Sequence, residues 1–106
     1  MVDFSQYDDN QLLERLKADN ERAFTAIYHR YWKLLFSVTA NKLTTLDDAE
    51  EVVQEVFVDL WNRRSSIQVT TSLKSYLAAS VKYQAWSLMA RRQKELRNRE
   101  RLTALP

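Results

Sequence analysis

The chain of 106 residues contains no glycine and no cysteine, a single histidine, and a single proline at its last position. Each shortage removes a class of chemistry. Without cysteine there are neither disulfides nor thiolate metal sites. Without glycine no loop lets the backbone approach a phosphate closely, so Walker and dinucleotide-binding motifs are excluded. His29 is the one side chain with an ordinary pKa near neutrality, and no Ser/His/Asp or Cys/His set accompanies it. General acid and base catalysis therefore has little to work with. An enzyme is not expected, nor is a metal or cofactor. His29 itself, in AIYHRYW, reads as a surface or boundary position on a helix. Apolar runs are only a few residues long, and the first residues include Asp3 rather than a charged and then apolar leader. The expected location is the cytoplasm, with no membrane contact of the chain's own.

What the chain does have is charge, distributed unevenly. Residues 1–61 carry six Lys/Arg against twelve Asp/Glu, a balance of −6, whereas residues 62–106 carry ten against two, a balance of +8. The net charge of +2 hides this polarity. Such separation suits a molecule with one surface for a basic protein and another for nucleic acid, although a merely solvated basic tail would show the same count.

At this length the chain builds one core, and 1–106 is expected to be a single all-α domain, a compact bundle of about four helices. After a polar lead, Met1 to Tyr7, left without an assignment, Asp8 or Asp9 caps a short helix to about Ala18 that buries Leu12, Leu13 and Leu16. Asp19 and Asn20 offer the next cap. Phe24, Ile27, Tyr28, Tyr31, Leu35 and Val38 then follow the steps of a long amphipathic helix reaching about Leu43. Thr44, Thr45, Leu46 and Asp47 form a tight connection and cap. The helix that follows ends near Arg63 or Arg64, and a loop free of helical period runs from Ser65 to Thr71. From a Ser72 cap, a last long helix places Leu73, Leu77, Val81, Gln84, Ala85 and Leu88 on one stripe.

The stretch Asp47 to Trp61 organises the functional reading. At ~100° per residue, Ala49, Val52, Val53, Val56, Phe57 and Leu60 share a broad core face. Glu51, Gln54 and Glu55 lie opposite with Val58 among them, and a β-branched apolar residue in an acidic patch points to a protein partner. On the last helix Tyr76, Tyr83 and Trp86 flank the buried stripe beside Lys74 and Lys82. Aromatics beside cations suit unpaired bases, yet Tyr76 and Tyr83 would equally complete the edge of a core. Beyond Met89, ARRQKELRNRERL has the composition of a phosphate-binding segment and equally of a solvated helical end that frays.

The run Asp48-Ala49-Glu50-Glu51-Val52-Val53-Gln54-Glu55-Val56-Phe57-Val58-Asp59-Leu60-Trp61 resembles the signature helix of region 2 in bacterial sigma factors of the extracytoplasmic-function group. The upstream Phe24 to Trp32 block resembles that family's "AF..LY..Y" helix. Ser75-Tyr76-Leu77, followed by a basic helix, resembles its promoter-reading segment. The resemblance covers residues 8–100 and implies a non-enzymatic domain that binds core RNA polymerase and recognises and helps open the promoter minus-ten element. It implies docking on the β′ clamp helices through Asp48, Glu51, Gln54, Glu55 and Phe57, to which the helical-face argument adds Val58 and Trp61. The loop corresponds to a segment that captures an extruded base of the non-template strand. Ser65, Ser66, Gln68 and Thr70 would hydrogen-bond that base and Tyr76 would stack on it. Lys74, Lys82, Arg91 and Arg92 would track phosphates, with Arg63, Arg64, Tyr83 and Trp86 completing the DNA set.

Three departures shape these expectations. Adjacent tryptophans of the kind that wedge duplex DNA open in primary sigma factors are absent, which implies weaker melting. Tyr83 and Ser87 stand where many members have Asn and Asp. No second helix-turn-helix domain for the minus-35 element follows, so a fragment of a longer protein is expected. The rival readings are a helical interaction module whose main partner is an anti-sigma factor, and an ordinary duplex-binding regulator, against which the lack of a helix-turn-helix glycine turn argues.

Overall fold

A computed structural model describes residues 3–42 and 45–106. A 3-10 turn, Phe4–Gln6, leads into four α-helices: α1 (Asp9–Lys17), α2 (Glu21–Ala40), α3 (Leu46–Asn62) and α4 (Leu73–Thr103). Among the described residues there is no strand. The expected end of α2 near Leu43, and Thr44 of the expected connection, lie outside the described residues.

Every α-helix starts on a side chain that satisfies its first free amides. Asp8 accepts from the Gln11 backbone at 2.8 Å while the Gln11 side chain accepts from the Asp8 amide at 2.9 Å, a reciprocal capping box. Asn20, Thr45 and Ser72 cap α2, α3 and α4 by accepting from Arg22 and Ala23, from Asp48, and from Ser75.

The turn between α1 and α2 shows what a chain without glycine does. The Asn20 amide donates to the Arg15 carbonyl and the Asp19 amide to that of Leu16, both at 3.0 Å, which is the Schellman pattern. Glycine usually takes the left-handed position there. Here Asp19 adopts it, at φ 64°, as the one non-glycine residue of positive φ among those described.

The core forms where the four helices converge. Leu12, Leu13 and Leu16 of α1 meet Ile27, Tyr31 and Leu35 of α2, then Val53, Val56, Phe57 and Leu60 of α3 and Leu73, Leu77 and Val81 of α4. A smaller cluster of Val52, Ala85 and Leu88 continues the α3–α4 seam. Gln84, on the expected buried stripe, is only partly buried and donates to Asp59 of α3 at 2.9 Å. Asp59 meets Gln84 while Asp48 meets Arg92. The order of these contacts makes α3 and α4 antiparallel. The α1 end is tied to α2 by Arg30, which donates to Asp9 at 2.9 Å and to the Tyr7 carbonyl at 2.8 Å. Tyr31 also donates to Asp9, and burial together with that carboxylate pushes the Tyr31 hydroxyl up to about 12.

Past Leu88 every residue of α4 is exposed, yet the helix continues to Thr103. No glycine or proline interrupts it. This free end makes the molecule 67 Å long against 25 and 24 Å in the other directions.

Candidate polymerase and nucleic-acid surfaces

The outer face of α3 presents Glu51, Gln54, Glu55 and Val58 to solvent, Val58 being 49% exposed. A buried apolar face opposite fixes this orientation, so the strip cannot rotate into the bundle without exposing Val52, Val56 and Leu60. Three other residues of the expected docking set have different places. Phe57 is 2% exposed, its ring edge-on to Tyr28 at 4.9 Å and to Phe24 at 6.4 Å. Its α3 position points into the α2 seam, so it packs the core and offers no surface. Trp61 is half-buried; it packs against Phe24 at 5.4 Å, and the Arg64 guanidinium covers one face of its ring at 4.0 Å. Asp48 is bound within the molecule, accepting from Arg92 at 3.0 Å.

Beside the strip, Tyr28, Trp32 and Phe36 of α2 open an apolar hollow of about 490 Å³ toward α3, with Glu50, Val53 and Gln54 on its far wall. On the other side Glu51 and Glu55 line a polar hollow together with Gln84 and Arg91. Arg91 and Arg92, expected to track phosphates, are therefore on the α3 side of α4, one beside Glu51 and Glu55 and the other bound to Asp48.

The exposed aromatics of α4 lie on two flanks, Tyr76 and Tyr83 beside the end of α3 and Trp86 beside the end of α2. Tyr76 and Tyr83, seven residues apart, share one helix face and line a shallow hollow of about 310 Å³ with Ala79, Ser80, Gln84 and Arg63. Arg63, the C-cap of α3, brings a cation to that hollow at the start of the loop. Lys74 is exposed, but at two residues from Tyr76 it projects to another side of the helix. Trp86 is 67% exposed and lines a second hollow of about 410 Å³ with Lys82, Met89 and Lys42. Sequence reasoning missed Lys42. It lies just past α2 and only the fold brings it beside Trp86.

The loop has an alternation that its composition did not announce. Ile67 is 3% exposed and Val69 partly buried, while Ser66, Gln68 and Thr70 point to solvent. Alternate side chains thus anchor the loop and display its polar groups. Ser65 is exposed at its start, and the Ser66 hydroxyl donates to the Arg63 carbonyl at 3.2 Å. Arg64, expected on DNA, is instead built into the fold. It donates to Asp19 at 2.7 Å and to the Trp61 carbonyl at 2.8 Å, and it lies on the Trp61 ring.

The fold is an all-α bundle with an acidic strip on one helix and an aromatic, basic surface on the next. Among the described residues no cluster of side chains could hold a metal ion, and no helix is long and apolar enough to cross a membrane. The family Sigma-70 region 2 matches residues 27–95, which take in α2 from Ile27, α3, the loop and α4 as far as Glu95. The chain belongs to that family, a non-enzymatic class whose domains act in RNA polymerase binding and promoter melting. No curated protein matches the chain.

Proposed function

We propose that the chain is a region 2 domain of the extracytoplasmic-function group that works in the cytoplasm, docking α3 on the β′ clamp helices and the loop and α4 on the minus-ten element. On α3 the contact residues are Glu51, Gln54, Glu55 and Val58. On the DNA side, Ser65, Ser66, Gln68 and Thr70 receive an extruded base of the non-template strand. Tyr76, Tyr83 and Trp86 supply stacking faces, and Arg63, Lys82 and Lys74 the phosphate contacts. The observation that carries this reading is the hollow in which Arg63, at the head of the loop, meets Tyr76 and Tyr83. A cation and two aromatic faces beside displayed polar groups are what an unstacked base and its phosphate require.

Charge reversal tests the docking half. Gln54→Lys with Glu55→Lys should weaken binding to core RNA polymerase at least about tenfold, since like-charge contact at an interface costs several kcal/mol. The unfolding midpoint should hold, because both side chains are exposed. Undiminished binding would show that α3 does not dock there.

The apolar hollow of Tyr28, Trp32 and Phe36 beside Gln54 supports a second reading, an interaction module held by an anti-sigma factor. Binding of single-stranded minus-ten oligonucleotides, with and without core polymerase, separates the two. The promoter reading requires binding that core polymerase strengthens.

A further inference from the structure

Arg63 and Arg64 are indistinguishable as neighbouring cations in the sequence, and the structure gives them opposite employment. Arg63 is exposed in the aromatic hollow. Arg64 has a side chain only 26% exposed and three partners. Its Nε donates to Asp19 Oδ1, its Nη1 donates to the Trp61 carbonyl, and its guanidinium plane covers the Trp61 indole. That carbonyl, in the last turn of α3, also accepts from the Arg63 and Arg64 backbone amides, so the side chain reinforces a helix end that is already bonded. Arg64 thereby joins the end of α3 to the α1–α2 turn, whose Asp19 is held at a left-handed backbone position by the Schellman bonds. The Ser66 and Ile67 amides both donate to the Arg63 carbonyl at 3.0 Å, and Ile67, three residues on from Arg64, is the first buried side chain of the loop. Between them stand only Ser65 and Ser66, and after them the displayed Gln68 and Thr70.

We infer that Arg64 and Asp19 are positioning residues for base recognition: they fix where the loop leaves α3, and so where Ser65, Ser66, Gln68 and Thr70 meet the extruded base. This rests on the promoter-recognition reading above. A contact made to a flipped base repays its unstacking only if the polar groups are already in place, so a loosened loop loses discrimination before it loses general affinity. The α1–α2 turn, itself outside the proposed DNA set, becomes a determinant of promoter choice.

Asp19→Asn gives a test in which the two possible roles of Arg64 predict opposite signs. Asparagine accepts the left-handed backbone as readily as aspartate, so the turn survives while the charge is lost. If Arg64 were a phosphate contact, freeing it and removing a nearby negative charge would tighten binding to any strand. If it positions the loop, base preference falls. The chain in complex with core RNA polymerase is used to select a single-stranded oligonucleotide from a randomised pool. Affinity is then measured for that strand, for strands changed at one base, and for a strand abasic at that position. The pair is partly exposed, so Asp19→Asn should cut the preference ratio only about twofold to fivefold. Arg64→Ala, which also removes the carbonyl bond and the ring contact, should cut it further, and Arg64→Lys should fall between, since it keeps charge without the planar fork. Affinity for the abasic strand should stay within about twofold in all three, and the Asp19→Asn unfolding midpoint within about 4 °C of the parent.

An unchanged ratio in Asp19→Asn, or tighter binding to the abasic strand, overturns the positioning role and returns Arg64 to phosphate. Should Arg64→Ala fail to fold, Asp19→Asn decides alone. A parent chain with no base preference overturns the promoter reading itself and this inference with it.

Discussion

The exposed faces of α3 and α4 are built on opposite plans. α3 is packed along its whole length, and its outer strip is narrow, acidic and marked by one apolar residue, Val58. α4 is packed only as far as Leu88, and its outer surface is broad, with Tyr83, Trp86 and Met89 exposed among cations. A narrow strip of fixed charge selects a partner that is itself rigid and complementary, which suits a protein surface. Planar rings with free faces accept a flexible strand whose bases can turn to meet them. On the proposed reading, the contrast between a strip that discriminates by charge and a surface that accepts by stacking follows from how much of each helix the core consumes.

The largest effect should come from two adjacent residues on α3 that lie on opposite sides of this division. Phe57→Ala removes a buried ring from between Phe24 and Tyr28 and should cost about 3–5 kcal/mol, lowering the unfolding midpoint by roughly 12 °C or more. Val58→Asp should shift stability by less than about 0.5 kcal/mol while weakening polymerase binding. Thermal unfolding followed by circular dichroism, beside a polymerase pull-down, reads both. A Phe57→Ala chain that kept its midpoint but lost polymerase would return Phe57 to the docking strip and erase the distinction.

On α4 the corresponding cut is Trp86→Ala. Loss of one stacking face should reduce affinity for single-stranded DNA by about 1–3 kcal/mol, measured by fluorescence anisotropy, with the salt dependence unaltered. Lys42→Ala should do the reverse, lowering the salt slope by about 0.7 with a smaller loss of affinity. If Trp86→Ala flattened the salt slope, or if neither change were felt, the aromatic surface would not be a stacking platform.

Much of this architecture could be read in advance, for a physical reason. Helical period and capping are local, so the first cap could be narrowed to Asp8 or Asp9, the second to Asp19 or Asn20 and the last to Ser72, of which Asp8, Asn20 and Ser72 serve, and Ala49, Val52, Val53, Val56, Phe57 and Leu60 announced the buried face of α3. Phe57 shows the limit of carrying over a motif: its period placed it in the core while the resemblance placed it on the partner, and packing decided for the core. What stayed hidden depends on long-range contact. Ile67 and Val69 alternate with Ser66, Gln68 and Thr70, a period of two outside any helical pattern, and only packing against the bundle makes Ile67 an anchor. Arg64 is set apart from Arg63 by Asp19, 45 residues away, together with the Trp61 carbonyl and ring. Lys42 gains its place beside Trp86 only because α2 ends there.

The smallest effect lies where the two faces meet. Asp48 begins α3 and Arg92 opens the basic run of α4, and their bond at 3.0 Å joins acidic strip to basic helix. Asp48 is well covered, but Arg92 is more than half exposed, so the coupling is discounted for solvent. A double-mutant cycle of Asp48→Ala and Arg92→Ala should return about 0.2–1 kcal/mol in unfolding free energy. The informative measurement is the salt slope for single-stranded DNA in Arg92→Ala. With Arg92 engaged by Asp48 the slope should not change, and Asp48→Ala, by releasing it, should raise the slope by up to about 0.7. A slope that already falls in Arg92→Ala would mean that the arginine exchanges its carboxylate for a phosphate on binding. The acidic and basic faces would then be coupled through one side chain, and DNA binding would free Asp48 at the start of the docking helix.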